Sequence, residues 1–213
     1  MSRPHAGWDT RPEADKLHAL HDAAARLAVR HGLDGVSLTD ILRACGVDAV
    51  YFRRRHRCKS GLFTDVSDHH LSGLLGALDE HGIGALPASD RLQALARAVL
   101  RAARAAPDAH RVMLMRLLDR SGSARGDLHA RVRWLHAAAT EALEARLPGL
   151  RADPDRAAEA ASDLLLLLAA RALGKPADDP ATDARADRVV AGILAGLRGF
   201  DKAPRPRSRT PVA

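Results

Sequence analysis

Apolar residues return at three- and four-residue spacing through most of this chain, and glycine or proline closes each run. Between residues 14 and 31, Leu17, Leu20, Ala24, Leu27 and Ala28 share one face, with Arg26 and Arg30 on the other. That period belongs to an amphipathic helix; a half-buried strand would alternate every second residue. The side chains available point the same way. Hydrophobic residues make up 46% of the 213 but aromatics only 3%, so Leu, Ala and Val must fill the core. Ala and Leu favour helix, and the best strand formers are scarce. An all-α fold is expected, on a chain long enough to bury a core without disulfides or metals.

Punctuation divides the helices. Gly32 stops the first and Gly35 permits a turn. Ser37 or Thr39 caps a second helix, with Asp40 in its first turn and Ile41, Leu42 and Ala44 as its buried face. Gly46 closes it after about two turns. Asp48 caps a third helix that runs through Val50, Tyr51 and Phe52 into Arg53, Arg54, Arg55 and Arg57. Two short helices about a glycine-containing turn make the helix-turn-helix pattern. After Lys59–Ser60–Gly61, the residues Leu62, Phe63, Val66, Leu71, Leu74, Leu75 and Leu78 start a longer helix toward His81, and Gly82–Ala88 is a loop. Further helices are expected over 89–106, 108–121, 125–147, 154–173 and 181–199, divided by Pro107, Gly122, Pro148–Gly149 and Pro176–Pro180. Residues 1–13 read as a flexible arm and 201–213 as a disordered basic tail carrying Lys202, Arg205, Arg207 and Arg209.

The net charge is +7, and its placement carries the argument. Residues 1–70 hold 11 Lys/Arg against 9 Asp/Glu, yet Arg53, Arg54, Arg55, Arg57 and Lys59 fall within seven residues, beside His56 and no acid. Cations clustered at one locus suit a polyphosphate surface, because each phosphate contact releases condensed counterions. Other classes lack their signatures. The longest apolar run, Leu164–Ala170, is far short of the ~20 residues of a membrane span. Met1–Thr10 has no apolar core for a secretory signal, and Cys45 and Cys58 cannot build a four-thiolate site, so a cytoplasmic protein is expected. No nucleophile-elbow serine, phosphate-binding glycine loop, zinc-protease His pair or Glu-x-x-His pair occurs, so no enzyme activity and no cofactor are expected. His129 and His136 share a helix face without a Glu or Cys to complete a metal set, and His69–His70 read as surface, so no metal is expected. Cys45 packs beside Gly46, while Cys58 between Arg57 and Lys59 is a minor candidate for redox sensing.

The segment AARLAVRHGLDGVSLTDILRACGVDAVYFRRRHRCKSGLF resembles the DNA-binding head of TetR-family transcriptional regulators. Ala24, Leu27, Gly32, Ser37, Leu38, Ile41, Ala44, Gly46, Val47, Lys59 and Leu62 match the family pattern, over about fifty residues. The resemblance implies a helix-turn-helix domain at 14–60 and a helical ligand-binding and dimerisation domain at 61–200. It also implies a homodimer on double-stranded operator DNA, and a repressor released by a small-molecule effector. Asp48, Ala49, Tyr51 and Arg54 are the candidates for facing the groove, and Ser37, Thr39, Arg53, Arg57 and Lys59 for phosphate contacts. The sequence departs from the pattern where Arg53 replaces a tyrosine and His56 a phenylalanine. Arg still suits a phosphate. The departures motivate an alternative, a helical ligand-binding or interaction protein whose head binds DNA only nonspecifically.

The body offers two more sets. Leu164 and Leu168, with Leu166 and Leu167 making that helix apolar nearly all round, and Val190, Ile193, Leu194 and Leu197 on the last helix, are expected at a subunit interface. His110, Met113, Leu117, Trp134, Ala138 and Leu165, with Leu114 and Leu135, are candidates to line the effector pocket, against the plainer reading that they are ordinary core.

Overall fold

The computed structural model describes residues 11–80, 82–118, 125–173 and 182–201. The expected arm before residue 11 and the tail beyond 201 lie outside the described residues. Within these bounds the chain is helical and carries no strand. Helix α1 spans Glu13–Gly35, α2 Leu38–Cys45, α3 Ala49–Arg55 and α4 Lys59–Glu80. The body follows with α5 Ala88–Ala105, α6 Pro107–Leu118, α7 Arg125–Arg146, α8 Pro154–Ala172 and α9 Thr182–Asp201. Two short 3-10 turns, Ile83–Ala85 and Pro148–Ala152, sit where only loops are expected.

The local signals act as their chemistry requires. Gly32 takes φ 77°, ψ 162°, so the helical path breaks there and only one turn, to Gly35, follows. The Ser37 hydroxyl accepts from the Asp40 N–H at 3.1 Å and donates to the Asp40 carboxylate at 2.5 Å. Gly46 ends α2 in the left-handed region at φ 72°, which favours glycine. Asp48 caps α3 by accepting from the Tyr51 N–H at 2.7 Å. Ala44, expected on the buried face of α2, is exposed, and Ile41 alone in that helix is buried.

Two apolar clusters meet along α4. Leu62, Phe63 and Val66 join Leu20, Ala24, Ala25, Ala28, Val36, Ile41, Val47 and Phe52 in the first. One turn on, Leu71, Leu74 and Leu78 belong to the second, which α5 to α9 complete. Helix α6 crosses this division. Its Val112 is fully buried in the first cluster, and its buried Arg116 donates to the Phe63 carbonyl at 3.1 Å. The first cluster is therefore closed from beneath by the body.

Polar links reinforce the join. His70 of α4 and His110 of α6 are buried, with His70 Nε2 2.9 Å from His110 Nδ1, and His110 Nε2 3.1 Å from the Ala169 carbonyl of α8. A carbonyl can only accept, so His110 carries its proton on Nε2 and His70 donates to the bare Nδ1. Burial is the main reason both rings titrate below the ordinary histidine value, His70 at about 4. His70, read from sequence as surface, is thus an internal link between three helices; only His69 beside it is exposed.

Candidate nucleic-acid interface

Three residues, Gly46, Val47 and Asp48, separate α2 from α3. Buried Val47 and Phe52 hold the turn and the third helix to the first cluster. Phe52 is the one buried residue of α3, and its ring lies 5.2 Å from that of His56. His56 is itself buried, with Nδ1 3.1 Å from the Asp65 carboxylate of α4. The histidine at the aromatic position therefore packs as a core ring and adds a polar tether to α4. Burial lowers its pKa, against the pull of Asp65 in the other direction.

The cations on this stretch divide by what they touch. Arg53, Arg54 and Arg57 are exposed and form no ion pair among the described residues. Arg55 pairs with Glu13 of α1 at 2.9 Å. Lys59, expected on a phosphate, is half-buried, and its Nζ donates to the carbonyls of Asp34 at 3.1 Å and Val36 at 2.9 Å. It pins the corner between α1 and α2 to the start of α4. Ser37, Thr39, Asp48 and Ala49 are exposed, although the Ser37 and Asp48 side chains are engaged as caps. Tyr51 is half-buried; burial first, then Glu13, raise its hydroxyl pKa. Cys45 is half-buried and its thiol donates to the Ile41 carbonyl at 3.1 Å, while burial pushes its pKa up.

A cavity of about 590 Å³ lies between the head and the body. Helix α1 supplies His18, His21 and Asp22, α4 supplies His69, His70, Gly73, Leu74 and Ala77, and α5 supplies Arg97, Arg101 and a wall of alanines. None of the six pocket candidates lines it. His110, Met113 and Ala138 are buried in packed core, Leu117 and Leu165 pack half-buried against it, and Trp134 is 46% exposed. The signal for the actual cavity is a lack of bulk: Ala94, Ala98, Ala102 and Ala105 on α5 face Gly73 and Ala77 of α4.

The expected interface residues are placed differently as well. Leu164, Leu168, Val190 and Leu194 are buried inside the single chain, and Ile193 packs half-buried against the same core. The side chain of Leu197 lies outside the described residues. On α8 the leucines left outside are Leu166, 41% exposed, and Leu167, 46% exposed. One run of leucines thus serves two faces, with only the outer one open to a partner.

No family profile matches the chain, and neither does any curated protein sequence. Solved structures do. A TetR-family transcriptional regulator from Bordetella parapertussis 12822 superposes with a TM-score of 0.73 at 24% identity, covering 88% of this chain and 98% of that one. A regulatory protein of the tetR family from Rhodococcus RHA1 gives 0.68 at 18% identity, covering 84% and 95%. AibR in complex with isovaleryl coenzyme A and operator DNA gives 0.63 at 16% identity, covering 85% and 97%. Nine helices in this order among the described residues, with a short helix-turn-helix ahead of a helical body, carry the likeness over nearly the whole of each neighbour. The architecture of this chain is that of the TetR-family transcriptional regulators.

Proposed function

We propose that the protein is a sequence-specific DNA-binding regulator that works as a dimer and releases its operator when a small molecule binds. The observation that carries the DNA reading is the division among the cations. Arg53, Arg54 and Arg57 stay in solvent on and just beyond α3, while their neighbours are used to hold the helix in place. Ala49 opens that helix with no bulk to keep it from a base edge, and Thr39 stands exposed at the start of α2. A rigid, cationic, short helix is what a major groove accepts. The buried His56 argues against a degenerate head, since the departure at this position leaves α3 anchored.

Replacing Arg53, Arg54 and Arg57 together by alanine is expected to weaken binding to the chain's own promoter DNA about tenfold or more. The slope of affinity against salt should flatten by about one unit for each phosphate left without its guanidinium. Lys59→Ala should behave otherwise: it leaves two carbonyls without their donor and lowers head stability first. Gel retardation over a salt series checks this. Equal, salt-labile retardation of any duplex by the wild type would overturn the specific-regulator reading.

The dimer reading rests on Leu166 and Leu167, adjacent leucines left outside on a helix whose other side is packed. Two such faces about a twofold axis would bury them and pair two heads for two half-sites. Leu166→Lys with Leu167→Lys is expected to give monomers in sedimentation equilibrium while the helical signal stays intact. A variant that remained dimeric would place the interface elsewhere.

The effector reading rests on where the cavity lies. Its walls belong to α1 of the head and to α4 and α5 together, so an occupant would act on the spacing between them. The alanine-rich wall suits a compact, largely apolar molecule. AibR, a neighbour by fold, was solved with both an acyl coenzyme A and operator DNA.

A further inference from the structure

We infer that His21, His56 and Asp65 form a binding site for a divalent transition metal, which ties the end of α3 to α1 and α4. One nitrogen of each ring and one oxygen of the carboxylate lie within 4.8 Å of one another. Ligand atoms about 2.0–2.2 Å from a shared tetrahedral ion sit roughly 3.4 Å apart, so small side-chain turns would close this set around one. The three come from different helices or helix ends, so a shared ion would cross-link segments that the chain separates by 35 and 9 residues.

A second observation is independent of that spacing. His21 and His56 are 7% and 3% exposed, and the Nε2 atom of each is buried without a hydrogen-bond partner among the described residues. Buried imidazole nitrogens are normally satisfied, and leaving one bare costs about 1–3 kcal/mol. Two buried rings and one carboxylate make a donor set that a cation would complete; the His56 nitrogen beside Asp65 is Nδ1, at 3.1 Å, so an ion shared by all three would take the place of that contact. Imidazole coordinates as the neutral ring, the form that burial favours at both positions. The chemistry of the set selects the ion. Two imidazoles and one carboxylate suit zinc and its neighbours, whereas magnesium and calcium require a cage of oxygens. Three protein ligands leave a fourth position for water.

Occupancy would fix His56, and with it the C-terminal end of α3, against α4. Metal loading therefore stiffens the helix that carries Arg53 and Arg54, whatever that helix binds. The test uses the full chain freed of metal and titrated with cobalt(II), whose visible absorption reports nitrogen and oxygen ligation directly, followed by competition with zinc. One ion per chain is expected, together with a rise in the melting temperature of the head on zinc addition. Asp65→Asn alters a half-exposed side chain and leaves both rings in place. His56→Phe fills the ring volume. Each should weaken binding about tenfold or more and abolish the thermal shift, while His18→Ala, at an exposed position, should change neither. Absence of cobalt binding at one equivalent overturns the site, and so does equal binding by wild type and Asp65→Asn. The readout involves no DNA, so its failure would leave the regulator reading standing.

Discussion

Phe52→Ala is expected to lower stability by about 3–5 kcal/mol, the usual cost of emptying a buried aromatic site. The reason for the upper part of that range lies in α3 itself. The helix has seven residues and Phe52 is the only one that is buried. Isolated helices shorter than about 12–15 residues do not hold in water, so α3 exists because this ring is sunk among Ile41, Val47, Leu62 and Val66. Its removal takes away both the burial and the support for the His56 ring, 5.2 Å away. The loss should be local at first. The second cluster shares no side chain with the first, so the body can stay folded while the head loosens. Hydrogen exchange should show protection lost over 38–58 and retained in α5 and α8, and, under the function proposed above, retardation of promoter DNA should fall with it. Tyr51→Ala, at a half-buried position, should cost much less. A drop below about 1 kcal/mol for Phe52→Ala would mean that something other than this ring anchors the helix.

Much of this architecture is legible in the sequence because local chemistry decides it. Gly32, Gly46, Pro107 and Pro148–Gly149 mark helix ends whatever the tertiary fold, and the starts at Ser37 and Asp48 are visible as caps. What stays hidden depends on contacts between distant residues. Five leucines in a row, Leu164 to Leu168, have no polar gap to show which face turns inward, and packing buries the first and last while leaving Leu166 and Leu167 outside. Met113 and Trp134 look like pocket residues by type, yet a cavity is made by missing volume, and the alanines of α5 and Gly73 of α4 are where volume is missing. Lys59 matches a family pattern at its position, but only the fold shows that its ammonium is occupied by the Asp34 and Val36 carbonyls. The meeting of His21, His56 and Asp65 is beyond any spacing rule, since the three belong to separate elements. His70 illustrates the same limit, because its partner His110 is forty positions away.

That buried pair makes the protein sensitive to acid, in a window set by His70. In the unfolded chain the ring titrates near 6.5, and in the fold at about 4. Burial is the main cause, followed by His110 on α6 and the exposed His69 on α4. Because the folded value is the lower one, the unfolded chain binds more protons between these two pH values. The stability held above pH 6.5 is therefore lost as pH falls toward 4. From this ring alone the loss should be about 2 kcal/mol at pH 5 and about 3 kcal/mol at pH 4. At pH 5 that corresponds to roughly 4–8 °C in melting temperature for a chain of this length. Carboxylates titrate over the lower part of the same range, so the comparison must be with a variant. His70→Gln keeps an N–H to give to His110 Nδ1 but cannot take up a proton in this window. Its melting temperature should start lower at neutral pH and fall less steeply between pH 6.5 and 4.5, so that the two profiles converge. Parallel profiles would show that His70 takes up its proton as readily in the fold as in the unfolded chain, so that in acid the chain from α4 through α6 to the Ala169 carbonyl carries a charge instead of a neutral hydrogen bond.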